Sequence, residues 1–228
     1  MYIKDHMTKN PFTISPETSV SKALDIMGLH KFHRLPVVND DNKLIGLITE
    51  GLISETSGVS TTSLSVYELN YLLTRTKASE IMIKDVVTVS PDMFLEEAAQ
   101  LMADNEIGVL PVVDKDNYVL GIITDKDVFL SLTEMLGYKS QGTRFVIACK
   151  DVPGEFAKVC ELFAKENANI ENLALYRSEE RGTEAVVKAT GEVSVEKMTK
   201  VLEDAGFEIR NIVQTEKSGN RIFWKTVA

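Results

Sequence analysis

The sequence predicts a mixed α/β (α+β) chain: two copies of a β-α-β-β-α unit, followed by one β-α-β-β-α-β unit. Three observations carry this expectation. The first third of the 228 residues matches itself 75 positions later without a gap. Met7, Lys9, Thr13, Ser15 and Pro16 meet Met82, Lys84, Thr88, Ser90 and Pro91, and Leu35-Pro36-Val37-Val38 meets Leu110-Pro111-Val112-Val113. Asp41-Asn42 meets Asp116-Asn117, and Gly46, Ile48 and Thr49 meet Gly121, Ile123 and Thr124. Chance does not hold prolines, glycines and turn residues in one register, so two copies of a supersecondary unit are present. Second, apolar stripes at helical spacing alternate with short, continuously apolar strands. Third, the pattern changes after Arg144.

Each copy opens with an extended segment, residues 12–14 or 86–89, closed by Ser15-Pro16 or Ser90-Pro91. A helix follows, with Val20, Ala23, Leu24 and Met27 on one stripe, repeated by Leu95, Ala98, Ala99 and Met102. Next come an apolar strand at 35–38 or 110–113, an Asp/Asn turn, a second strand at 44–49 or 119–124, and another helix. Residues 54–63 are rich in Ser, Thr and Gly and read as a linker. Ser65-x-x-Glu68 reads as a capping box before Leu69, Leu72 and Leu73.

In the last third, residues 145–149 read as a strand and Asp151-Val152-Pro153-Gly154 as a turn. A helix presents Phe156, Val159, Cys160 and Phe163 on one stripe; Ala168-Asn169-Ile170 ends it. A strand at 173–177 turns through 179–182 into a strand at 183–189. A helix at about 194–205 carries Val195, Met198, Val201 and Leu202, Gly206 ends it, and 209–215 is the last strand. The expected domains are 1–60, 61–138 and 143–228.

Bulk numbers exclude several classes. The net charge of −9 is concentrated in residues 1–142, with 12 Lys and Arg against 20 Asp and Glu; residues 143–228 have 13 against 14. Neither part has the basic stripe of a nucleic-acid binder. No apolar run reaches the roughly 18 residues of a membrane span, and the N-terminus has no apolar signal core, so a cytoplasmic protein is expected. Cys149 and Cys160 form no C-x-x-C pair and fit reduced thiols. His30 and His33 are three apart, but no Cys or carboxylate cluster accompanies them, so no metal is expected. No nucleophile–base pair or phosphate-cradling glycine loop is present, which argues against an enzyme.

The duplicated Thr-x-Ser-Pro, Leu-Pro-Val-Val and Gly-h-h-Thr segments resemble a CBS-domain pair, or Bateman module, over residues 1–136. The resemblance implies sensing of an adenosine-type ligand: AMP, ADP, ATP, S-adenosylmethionine or a cyclic dinucleotide. The family's signature, Gly-h-x-Ser/Thr-x-x-Asp, is complete in copy two from Gly121 through Thr124 to Asp127, whereas copy one has Leu52 in place of the carboxylate. Thr124 is then expected to donate to a phosphate and Asp127 to accept from a ribose diol. The family's His-Arg pair before the Leu-Pro strand, here His33-Arg34, implies a cation reaching the nucleotide held by the other copy. Copy two has Gly108-Val109 there, so one nucleotide site per chain is expected, with a degenerate partner near Leu52. Val86, Val87 and Thr88, with Pro111, are expected to line the adenine pocket. Other readings stand beside these. Thr124-x-x-Asp127 is also a helix N-cap pattern, His33-Arg34 also a basic helix end, and Val86 and Val87 also plain core.

Asp151-x-Pro153-Gly154 with Asn169-Ile170 resembles an ACT domain, of ferredoxin-like fold, over residues 143–216. ACT domains commonly associate side by side and bind amino acids at the interface. The matching positions are Asp151, Gly154, Asn169 and Ile170, although Pro-Gly also shapes a turn and Asn also caps a helix. A CBS pair joined to an ACT domain resembles the AcuB-type acetoin-utilisation proteins. The expectation is a homodimeric regulatory protein acting on a partner not named by the sequence, with an adenine nucleotide as regulatory ligand and no other cofactor. A structural dimerisation module and an amino-acid-regulated accessory subunit of an enzyme are the alternatives.

Overall fold

The computed structural model describes residues 1–56, 66–191 and 193–226. Residues 57–63 of the linker reading and Ser65 of the capping-box reading lie outside them. The chain forms two compact units, Met1–Phe129 and Leu130–Ala228.

In the first unit, copy one comprises α1 (Ile3–His6), β1 (Thr8–Lys9), α2 (Val20–His30), β2 (Arg34–Val38), β3 (Leu44–Thr49) and α3 (Glu50–Thr56). Next is α4 (Val66–Arg75). Copy two has α5 (Ala78–Ile81), α6 (Leu95–Asp104), β4 (Val109–Val113), β5 (Val119–Thr124) and α7 (Asp125–Met135). The boundary between the units falls within α7. The duplication is carried down to register. Leu35 pairs with Ile48 as Leu110 pairs with Ile123, and both hairpins shift register before their second valine, Val38 or Val113. The predicted stripe of α2 is buried: Val20, Ala23 and Met27 pack with Leu35, Val37 and Ile48. Leu95, Ala98 and Met102 of α6 do the same with Leu110, Val112 and Ile123.

The lead segments are exchanged between the copies. Ile3 of α1 is fully buried in the core of copy two, and Ala78 of α5 is buried in that of copy one. Strand β1 pairs antiparallel with β5, Thr8 opposite Ile122 and Lys9 opposite Gly121. In the mirror position Leu47 and Ile83 exchange both backbone hydrogen bonds, at 3.0 and 2.9 Å. This crossing explains the repeated glycines. A Cβ on Gly121 would lie 2.5 Å from Met7 Sδ and 3.0 Å from the Thr8 carbonyl oxygen; one on Gly46 would meet Met82 and lie 3.0 Å from the Ile83 carbonyl oxygen. Met7 and Met82, themselves repeat partners, each cover the other copy's glycine.

The strands expected at 12–14 and 86–89 shrink to single parallel bridges, Ile14 to Val37 and Val89 to Val112. Ile14 donates to the Pro36 carbonyl and accepts from Val38, and then Ser15-Pro16 stops the ladder because Pro16 has no N–H.

The second unit holds β6 (Gly142–Cys149), α8 (Glu155–Lys165), β7 (Asn169–Ser178), β8 (Gly182–Thr190), α9 (Val195–Asp204), β9 (Glu208–Thr215) and β10 (Arg221–Thr226). The antiparallel sheet has the order β10-β9-β6-β8-β7. One face is covered by both helices: Val159, Phe163, Met198 and Leu202 pack on Phe145, Ile147, Ala185 and Val187. Phe145 and Phe163 meet edge to face at 5.4 Å. Strands β6 to β9 with the two helices follow the predicted β-α-β-β-α-β order; β10 is an addition. Burial raises both cysteine thiols above their ordinary value, the opposite of what a reactive thiol needs. No helix among the described residues is long and apolar enough to cross a membrane.

Candidate functional site

The strand-to-helix junction from β5 into α7 carries Thr124 and Asp127. The Thr124 backbone N–H and hydroxyl donate to Asp127 Oδ2 at 2.9 and 2.7 Å, and the Asp127 N–H donates to Thr124 Oγ1 at 3.3 Å. Copy one keeps only half of this arrangement. The Leu52 N–H donates to Thr49 Oγ1 at 3.1 Å. The hydroxyl therefore caps the helix in both copies, and copy one caps without an acid. The Thr124 hydroxyl, expected to donate to a phosphate, here donates to Asp127.

Asp127 and Thr124 line a cleft of about 570 Å³ together with His33, Arg34 and Pro36 of copy one. The volume lies within the range of small-molecule sites. The elements explain the gathering. Arg34 opens β2, three residues after Lys31 ends the preceding helix in the left-handed conformation, at φ 57°. The crossing of β1 onto β5 carries Thr8, Asn10, Pro11 and Phe12 over the junction. Arg34 and Asp125 both approach Gly108: a Cβ there would lie 2.8 Å from Arg34 Nη2 and 2.8 Å from Asp125 Oδ2. The residue matching Arg34's neighbourhood in copy two is thus the glycine that leaves room for it. His33 Nδ1 lies 2.7 Å from Glu50 Oε2, a pair exposed to solvent.

Four of the expected nucleotide residues, Asp127, Thr124, Arg34 and His33, share this cleft. The other four do not. Val86 and Val87 line a second cleft of about 450 Å³, with Thr49 and Glu50 of copy one. Thr88 is half-buried, Pro111 is buried, and neither lines either cleft. The cause is the exchange of lead segments, which sends each copy's extended segment to the other copy's junction. The wall beside Asp127 is made by the equivalents 75 positions earlier: Pro11 for Val86, Phe12 for Val87, and Pro36 for Pro111. Periodicity missed the aromatic part of that wall. Phe12 lies 5.5 Å from Phe32 and 4.3 Å from His30, ring to ring, and is half exposed. A second correction concerns charge. The partner cleft is not bare of cations, since His33 and Arg34 border it too. It differs in its acids: Glu50, Asp85 and Glu106 line it, against Asp125 and Asp127 with Lys31 and Lys126 in the first.

The four ACT-type positions fall apart within one chain. Asp151 sits beyond the Cys149 end of β6, held by Arg177 Nε at 3.1 Å and Nη2 at 3.2 Å. Gly154 precedes α8 at φ 83°. Asn169 and Ile170 begin β7 opposite Thr190 and Ala189, at the other end of the sheet. Eight residues of strand separate Asn169 from Arg177, on the order of 25 Å. A single chain does not bring the four together. Among the described residues, no group of three or more His, Cys, Asp or Glu is placed to hold a metal ion.

Two related halves that share each other's lead segments, with a polar cleft at each junction, define a class: a paired ligand-binding regulatory module. Comparison with known proteins names it. The family model for the CBS domain matches residues 3–55 and 78–134, and that for the ACT domain matches residues 143–206. A CBS domain-containing protein of Dictyostelium discoideum is 34% identical over 138 residues, 59% of this chain and 92% of that protein. The chain belongs to the CBS-domain family, with an ACT domain after the pair. CBS and ACT domains are regulatory modules. Two solved structures are similar to the pair. CBSX2 in complex with AMP has a TM-score of 0.51 and 28% identity, covering 59% of this chain and 97% of that one. The CBS pair of protein MJ0100, in complex with 5'-methylthioadenosine and S-adenosylmethionine, has a TM-score of 0.50 and 27% identity, with the same coverage. Larger relatives match as well: homoserine O-acetyltransferase of Methanohalobium evestigatum is 35% identical over 127 residues. The chain spans about a quarter of the length of such enzymes, 23% in that case.

Proposed function

We propose that the CBS pair senses an adenine nucleotide bound in the cleft of Asp127, Thr124, His33 and Arg34. One observation carries the reading. A carboxylate from copy two and a guanidinium from copy one line the same cleft, although 93 positions separate them in sequence. Asp127 accepts from the ribose hydroxyls. Arg34 and the N-terminal end of α7 meet the phosphate, the first through its planar donor fork and the second through its dipole. Phe12 and Phe32 give the base an aromatic wall. The ligand touches both copies, so it favours one relative setting of them. The effect on a partner is bounded by the ligand's preference for that setting.

Calorimetry with AMP, ADP, ATP and S-adenosylmethionine tests the proposal. Asp127→Ala weakens nucleotide binding at least tenfold, about 1.4 kcal/mol. Equal affinity in the native chain and the variant removes Asp127 from the site. A second reading, S-adenosylmethionine as the ligand, is favoured by the relative solved with it. Arg34→Gln separates the two, because a ligand without phosphate is indifferent to that cation.

A further inference from the structure

The sheet face of the second unit that turns away from α8 and α9 has a composition unlike the rest of this acidic chain. Strand alternation places Phe145 and Ile147 in the core and Arg144 and Val146 on the opposite face. There a cavity of about 360 Å³ is bordered by Arg144, Arg181, Arg210 and Arg221, with Glu184 as its one carboxylate among the described residues. Val146, Val186, Val213 and Phe223 form its apolar lining, with Tyr176 beside them. Lys188, 3% exposed, stands directly opposite Arg144 in the ladder.

Among the described residues these cations are only partly paired. The Nε atoms of Arg144, Arg210 and Arg221 are all buried without a hydrogen-bond partner. Arg210 meets Glu208 at 3.3 Å, and the Arg221 guanidinium lies 4.9 Å from the Tyr138 ring centre. Those contacts hold the planes of the two groups yet leave their Nε–H donors unused. Burial, then Arg221, lowers the pKa of Arg144. Lys188 is lowered by burial foremost and further by Arg144 and Arg221, with Glu171 opposing. Glu184 does not close the account. It is 4% exposed, it pairs with Ala148 four residues down the ladder from Arg144, and its Oε1 is also buried without a partner.

Buried donors without acceptors are costly and rare in native proteins. Three of them on planar guanidinium forks around one cavity ask for an acceptor with several anionic oxygens. The orphan acceptor on Glu184 asks for a donor on the same molecule. We propose that this sheet face binds a small multivalent oxyanion, a phosphate or a polycarboxylate, held by Arg144, Arg210 and Arg221, with an O–H turned to Glu184. Hydrogenphosphate and citrate both have that character. The site is separate from the cleft of Asp127, so its fate does not depend on the nucleotide reading.

The test is calorimetry on the full chain at constant ionic strength, with sodium phosphate, pyrophosphate and citrate titrated against matched chloride. The expected result is saturable binding of one equivalent per chain, weakened at least tenfold by Arg144→Gln or Arg221→Gln and unchanged by Arg34→Gln. The two phosphates against citrate tell the sources apart. Arg221 lies on the edge strand β10, so Arg221→Gln carries the test if Arg144→Gln does not fold. Two outcomes overturn the proposal. One is no saturable binding of any of the three anions. The other is binding lost with Arg34→Gln and kept with both sheet variants, which puts the anion in the CBS cleft.

Discussion

Gly108 shows how a residue with no side chain can decide a site. Its position matches His33 in the 75-residue register, where copy one carries a ring and copy two carries nothing. The space it leaves is filled by Arg34 Nη2 and Asp125 Oδ2, each 2.8 Å from where a Cβ would stand. Gly108→Val therefore pushes the guanidinium off its seat. Nucleotide affinity is expected to fall several-fold in calorimetry while the melting temperature stays nearly constant, because Gly108 belongs to no apolar core cluster. Unchanged affinity would show that Arg34 does not need that seat. Asp151 offers a second test at this scale. Hydrogen bonding to Arg177 and that cation's charge hold its carboxyl below the ordinary value. A depressed folded-state pKa contributes stability above the unfolded value, about 3.9, which is lost as pH falls through the folded value. NMR titration is expected to find the Asp151 midpoint below ordinary, and Arg177→Gln to raise it. A midpoint indifferent to Arg177 sinks the assignment. Such single residues were legible to different degrees. Asp127 and Arg34 stand out because the repeat shows what copy one or copy two lacks. Phe12 was not, because its apolar character fits a core strand as well as a cleft wall.

Elements read more faithfully than the paths between them. The stripes of α2 and α6, the hairpins β2-β3 and β4-β5, and the β-α-β-β-α-β order of the second unit follow from spacing and turn residues. What spacing cannot convey is which copy a lead segment packs on. Residues 3–9 and 78–84 look alike, and both packing choices bury the same side chains. Val86 and Val87 accordingly hold the expected repeat position but line the other cleft. The glycines hold the missing information, since Gly46 and Gly121 are each crossed by the other copy's segment. Strand β10 also escapes a reading that stops at Thr215. Its signals are Gly219 at φ 86° and the β-prone run Ile222-Phe223-Trp224. The crossing gives a prediction for the element. Gly121→Ala drives a methyl against the Thr8 carbonyl and Met7, and the expected loss is about 1–3 kcal/mol by chemical denaturation. Met7→Ala in the same chain restores part of it. Full additivity of the two losses would show that the crossing strand does not rest on the glycine.

At the scale of the whole chain, duplication produces two clefts that are not equivalent, and Arg34 explains how they are related. It borders both. One guanidinium cannot neutralise an anion in each cleft at once, so a ligand that engages it from the Asp127 side leaves the other cleft with Asp85, Glu106 and Glu50, the last paired with His33. Carboxylates repel a phosphate, and like charges act more strongly where water is partly excluded. Leu52 is therefore not the sole defect of copy one. Leu52→Asp rebuilds the sequence signature there, Gly46 through Thr49 to residue 52, yet adds a fourth negative charge close by. The native chain is expected to bind one equivalent of nucleotide, and Leu52→Asp is expected still to bind one, with affinity within about threefold of native. A second equivalent in Leu52→Asp would mean that the signature alone makes a site and that the surrounding charge is secondary. Two equivalents in the native chain would mean that neither Leu52 nor the acids matter. One equivalent in both leaves Arg34, which with His33 borders both pockets, as the group that makes a duplicated pair of sites act as one.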